Sequence, residues 1–150
     1  MSLLASENPT VANLPADTID LLAEPSPAVL VTYRIDGTAA VSPVWFRYDG
    51  EAVEIVIAEG DPKLQHLDRR PECVLTIFET SSPFRGLTLE GSPNLRRDQD
   101  NSARLAIATR YLGVDAAVRF VEQRQSPGYI LTIHAHATKS WDLGSILPMH

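Results

Sequence analysis

Cysteine is nearly absent. Cys73 is the only one in 150 residues, so no disulfide can form within the chain, and a reducing cytoplasm is the expected compartment. Basic charge is in the minority: 13 Lys and Arg against 19 Asp and Glu give a net charge of -6, which argues against a general nucleic-acid binder. The pairs Arg69-Arg70 and Arg96-Arg97 read as solvated surface. No apolar run is long enough to cross a bilayer. The opening MSLLASENPTVANLP lacks the basic and apolar regions of a secretory signal. Neither nucleic acid nor membrane is therefore expected as a partner. Repeats and low-complexity tracts are absent too, and no Ser–His–Asp arrangement can be assigned, which leaves the catalytic residues open. His134 and His136 share one strand face, but no nearby Cys, Asp or Glu completes a metal site, and no metal is expected.

What the chain has is turn chemistry between β-branched runs. Ala28 to Arg34 (AVLVTYR) leads into Asp36-Gly37, a strong hairpin turn; Ala39 to Tyr48 leads into Asp49-Gly50, a second one. Pro43 marks the intervening strand as an edge or a bulge. Further strands are expected over Glu51 to Ala58, Glu72 to Glu79, Phe84 to Leu95 and Tyr129 to Ala137. Helices are expected over Asp17 to Ala23, with Ile19, Leu22 and Ala23 inward, and over Asp98 to Leu112, with Leu105, Ile107, Ala108, Tyr111 and Leu112 available for burial. A further helix is expected over Val114 to Gln123. Six hairpin-linked strands with one helix between the third and fourth predict a mainly β fold, a small closed antiparallel barrel with peripheral helices. The expected division is a leader and short helix over 1–27, a barrel over 28–142 and a tail over 143–150.

The stretch GDPKLQHLDRRP, Gly60 to Pro71, reads as the start of the helix between the third and fourth strands. Asp61 suits the N-cap, Pro62 the first helical position, Leu64 and Leu67 the core side, and Pro71 the stop. Lys63 is the odd residue, because a cation in the first turn faces the positive end of the helix dipole. Either it points into water or it meets a bound anion. Trp45 and Phe46, adjacent on a strand, must point to opposite faces, one of them into the core. Trp45 is taken as the groove-facing one, against a ligand ring or a dimer partner.

The hairpin VTYRIDGTAAVSPVWFRYDG, the helix PKLQHLDRRP, the strand CVLTIFE and the stretch FRGLTLEG occur in an order that resembles the pyridoxamine 5'-phosphate oxidase-like superfamily of FMN-binding split barrels. RYLG at Arg110–Gly113 and the late Trp141-Asp142 resemble its probable deazaflavin-dependent branch. The resemblance implies a six-stranded split β-barrel, a homodimer, and cofactors in grooves between the two barrels. It puts Lys63 at the cofactor phosphate and counts Ala58 and Gly60 among the cofactor-binding residues. It puts Ser42, Pro43, Val44, Trp45 and Arg47 beside the tricyclic ring, and Arg85 facing the groove from the other protomer.

Departures from that pattern shape the functional expectation. Where the FMN oxidases carry Arg-x-x-Leu-Leu-Lys, this chain has Ser42 in place of the arginine and Arg47 in place of the lysine. Where they read Ser-Arg-Lys at the helix start, it has Asp61-Pro62-Lys63, and their substrate-phosphate motif is missing near ATRYLGVDA. Pyridoxamine phosphate oxidation is not expected. The resemblance implies instead an oxidoreductase using the deazaflavin coenzyme F420 and moving a hydride to or from an apolar conjugated small molecule. FMN is the alternative cofactor, and a non-enzymatic flavin or haem carrier or sensor is the alternative class.

Overall fold

Side-chain alternation builds the sheet. In β1 (Ala28–Tyr33) every second residue, Ala28, Leu30 and Thr32, is buried, and β5 (Cys73–Phe78) repeats the pattern with Cys73, Leu75 and Ile77. The computed structural model describes residues 18–124, 126–144 and 146. Its remaining elements in chain order are α1 (Ile19–Ala23), β2 (Ala39–Val44), β3 (Arg47–Tyr48), β4 (Val53–Ile57), α2 (Pro62–Arg69), β6 (Gly86–Arg97), α3 (Ser102–Leu112), α4 (Val114–Glu122) and β7 (Tyr129–Trp141). The expected leader lies mostly outside the described residues.

All ladders are antiparallel, in the order β2-β1-β5-β6-β7-β4-β3. The two edge strands are halves of one chain segment, separated only by Trp45 and Phe46. The chain thus crosses from one edge of the sheet to the other within two residues, and this is how the barrel is split. A single strand over Ala39 to Tyr48 was expected; two short ones are found, making seven in place of six among the described residues, with no hydrogen-bonded closure between the edges there. The reason lies far away in sequence. The Phe46 N–H leaves the ladder and donates to the Tyr111 hydroxyl at 3.3 Å, which itself donates to the Ser26 carbonyl at 2.9 Å.

Phe46, Leu30, Ile55, Ile57, Leu75, Ile77, Leu87, Leu89 and Leu131 fill the interior with α1 residues Leu21 and Leu22 against them. Leu21 takes the inward place expected of Ala23, which is exposed. At α2, Leu67 is buried and Leu64 packs partly against the core. The α3 face also differs from expectation. It buries Ala103, Arg104, Ile107 and Ala108, while Leu105 and Leu112 stay exposed. Asp98 fixes that rotation, accepting the backbone N–H of Ala103 at 3.1 Å and of Arg104 at 3.0 Å. Among the described residues, no helix is long and apolar enough to cross a membrane.

Candidate functional site

The break between β2 and β3 exposes a cavity of about 980 Å³. One wall is sheet: Pro43, Val44 and Trp45 at the break, and Val56 to Ala58 at the end of β4. The opposite wall is helical, with Arg104, Ile107 and Tyr111 from α3, Phe120 from α4 and Arg124 just beyond it. The start of α2 contributes Asp61 and Lys63 to the rim.

Trp45 enters this cavity while Phe46 is fully buried, the division expected of adjacent strand residues. Its indole stacks on Tyr111, ring centroids 5.2 Å apart and planes within 11°, and lies 5.4 Å from the tilted Phe120 ring. Such offset aromatic pairs are worth roughly 0.5–1.5 kcal/mol beyond area burial. Tyr111 is half-buried and its hydroxyl joins α3 to the strand break, and burial, outweighing the Phe46 amide bond, raises its pKa. Its neighbour Arg110 donates to the carbonyls of Leu22, Ala23 and Glu24, capping the C-terminus of α1.

Of the residues read from the sequence, Pro43, Val44, Trp45, Ala58 and Lys63 line the cavity. Gly60 does not; it sits in the turn before α2 at φ +83, a conformation glycine adopts without strain, and so presents Asp61. Asp61 then does two things. Its Oδ1 accepts the Lys63 backbone N–H at 2.9 Å as an N-cap, and its carboxylate holds the Lys63 ammonium at 3.0 Å. The first-turn cation is thereby compensated within the chain. Ser42 and Arg47 are also off the lining. Arg47 pairs with buried Glu54 at 2.7 Å, and Arg96 reaches the second oxygen of that carboxylate at 2.6 Å. Burial opposes ionisation of Glu54, but bonds from Arg96 and Arg47 prevail and hold its pKa below the ordinary value. Arg85 lies at a smaller cavity of about 270 Å³, ion-paired with Glu79 and Asp20, each at 2.8 Å.

Arg104, Phe120 and Arg124 were not anticipated as site residues. Arg104 had a sequence signal: it shares the stripe of Ile107, Ala108 and Tyr111 on α3, an arginine where the period demands an apolar residue. Arg124 had none. His134 and His136 are exposed on β7, away from the cavity lining, and no group of three or more metal-ligating side chains occurs among the described residues. Cys73 is buried and its thiol is pushed up to about 12, so it is not a nucleophile.

Among solved structures, the chain is similar to a conserved hypothetical protein from Mycobacterium tuberculosis, at 21% identity and a TM-score of 0.75, covering 91% of each chain. It is similar to an F420 reductase at 22% identity and a TM-score of 0.72, covering 84% of this chain and 98% of that one. It is also similar to HutZ, the haem storage protein of Vibrio cholerae, at 16% identity and a TM-score of 0.63, covering 84% and 93%. At such identities these likenesses speak to the fold, a split barrel. No curated protein sequence matches the chain. The family model described as pyridoxamine 5'-phosphate oxidase matches residues 14–142. The chain belongs to the pyridoxamine 5'-phosphate oxidase family of flavin-binding split barrels.

Proposed function

We propose that this protein is an oxidoreductase that holds the deazaflavin coenzyme F420 in the cavity between the strand break and α3–α4. The observation that carries the reading is one cavity of about 980 Å³ combining an aromatic wall with cationic side chains. That volume is near the top of the usual range for small-molecule sites, and the donor chemistry fits a planar ring with an acidic tail. Trp45, held by Tyr111 and Phe120, offers a rigid aromatic surface; Pro43, Val44 and Ala58 form the apolar floor. When bound, the coenzyme supplies hydride transfer, and the chain orients it and excludes water.

FMN is the less favoured cofactor. An FMN phosphate would lack the arginine of the FMN oxidases, replaced here by Ser42 off the lining, and would meet a Lys63 already held by Asp61. Each missing charge-assisted bond is worth roughly 1.5–3 kcal/mol. A phosphodiester within a longer acidic tail concentrates less charge there. The substrate reading is an apolar conjugated small molecule. A cytoplasmic homodimer is part of the proposal, with face residues of β2 and β6 at the interface and Arg85 near the partner's groove. Light scattering that gives a monomer with cofactor still bound would sink it.

A non-enzymatic carrier is the second reading, and one observation favours it. The acidic and phenolic groups on the cavity wall are engaged: Asp61 with Lys63, and Tyr111 with Phe46 and Ser26. None is poised as a general acid or base. The test is the absorption spectrum and mass of the molecule that co-purifies from a host making both cofactors, followed by mixing the reduced cofactor with electron acceptors. A deazaflavin spectrum with turnover is expected; tight binding without turnover would favour the carrier, and binding of neither cofactor would overturn the oxidoreductase and a flavin carrier alike.

A further inference from the structure

The charge on the helical wall of the cavity is not explained by the chain. Arg104 is the only arginine buried among the described residues, at 6% exposure. Its Nη1 donates to the Asn101 side-chain oxygen at 3.1 Å and to the Ser126 carbonyl at 3.0 Å, both neutral. Asp98 is near in sequence, but its two oxygens accept the backbone amides of Ala103 and Arg104. Among the described residues no carboxylate pairs with the Arg104 guanidinium, whereas Arg85, Arg96 and Arg97 each have one.

The surroundings crowd cations together. Arg124 lies with its guanidinium 4.0 Å from the Phe120 ring centroid, lines the same cavity, and likewise has no ion pair among the described residues. Burial and the neighbouring Arg124 pull Arg104 below the ordinary guanidinium range, with Asp98 opposing. Room for Arg104 is built in. A Cβ at Gly128 would stand 2.8 Å from its Nη2 and 2.7 Å from the Ile57 carbonyl oxygen, so only glycine leaves the space. A buried cation beside a second cation is costly unless an anion completes the group, and guanidinium forks suit carboxylate and phosphate.

We propose that Arg104 and Arg124 form an anion subsite on the helical wall, on different elements from Lys63, that receives a carboxylate or phosphate group of a bound ligand. It rests on the cavity being a ligand site, as proposed above. The competing account is structural, with Arg104 merely tying α3 to the segment around Ser126. Two sources of the anion are open to test: the acidic tail of the cofactor itself, or a second ligand.

The experiment is calorimetric titration with inorganic phosphate and, separately, with riboflavin, a ring with no anion. Wild type, Arg124→Gln, Arg124→Lys and Lys63→Gln are compared at low salt. Arg124 is exposed, so its variants should fold, which thermal melts check. Phosphate affinity is expected to fall roughly tenfold in Arg124→Gln, the size of one lost charge-assisted bond. It should be partly retained in Arg124→Lys and change less than threefold in Lys63→Gln. Riboflavin affinity should stay level in all four. Phosphate binding equal in wild type and Arg124→Gln, or absent in wild type, would overturn the subsite. Failure of riboflavin alone would instead sink the ring-binding reading and leave the subsite standing. Repeating the phosphate titration on protein saturated with the deazaflavin coenzyme separates the sources. Lost phosphate binding assigns the subsite to the cofactor tail, and persistent binding assigns it to a second ligand.

Discussion

Arg85 and Arg104 are two arginines that line two cavities, and their differences separate structure from ligand chemistry. Arg85 is clamped by Glu79 through Nε and by Asp20 through Nη1, so its charge is balanced within the chain. Glu79 and then Asp20 raise its pKa, leaving it permanently charged. Arg104 is more deeply buried yet meets only neutral acceptors. A compensated charge holds elements together; an uncompensated one next to a cavity waits for a partner. The Lys63–Asp61 pair sits between these cases, on the cavity rim but already compensated.

This contrast can be broken at its structural end. The largest stability effect is expected at Glu54, whose two oxygens serve Arg47 and Arg96. Glu54→Gln should cost about 2–3 kcal/mol at neutral pH by urea unfolding, since bonds to charged groups contribute roughly 1.5–3 kcal/mol each and both arginines reach water. The folded pKa of Glu54 is depressed, so its contribution is complete above the ordinary value of 4.5 and is lost as pH falls through the lower folded value. The gap between wild type and variant should therefore close on acidification below 4.5. A gap that widened in acid would contradict the assignment. Next in size, Tyr111→Phe removes the hydroxyl that bridges Phe46 and Ser26 and should cost about 1–2 kcal/mol, with riboflavin affinity little changed. Smaller still, Arg85→Gln should cost about 1 kcal/mol, as partly exposed ion pairs do, and leave phosphate binding unaltered. If Arg85→Gln weakened phosphate binding as Arg124→Gln is expected to, the distinction drawn between the two arginines would fail.

The smallest effect sharpens the intermediate case. Asp61→Asn keeps an N-cap but frees the Lys63 ammonium, so an anionic cofactor should bind a few-fold tighter at low salt and equally at high salt. Fluorescence titration reads it. An unchanged affinity at low salt would mean that Lys63 meets no anionic group of the cofactor.

Much of the barrel was legible because alternation is local: the buried–half-buried pattern of Ala28–Tyr33 and Cys73–Phe78 can be read residue by residue. The split at Trp45-Phe46 was not, since it depends on a hydroxyl 65 residues away. At the site, Lys63 could be found from its conflict with the helix dipole, and Asp61 from its capping chemistry. That the two neutralise each other needed coordinates. Arg85 was chosen for its family position, which carries no information about Glu79 and Asp20 beside it. Arg104 stood in plain view within the apolar stripe of α3, but a periodicity reading passes over a charged residue unless the burial of its turn is known. The 980 Å³ cavity itself joins residues from 25 to 124, a juxtaposition no local pattern encodes.

Whether this cavity holds the cofactor is decided by a crystal structure of the protein grown with coenzyme F420. Ring density is expected against Trp45 and the Pro43–Val44 floor, with an acidic group of the tail toward the cations of the wall. Coenzyme bound elsewhere on the protein, with the Trp45 cavity filled only by solvent, would contradict it.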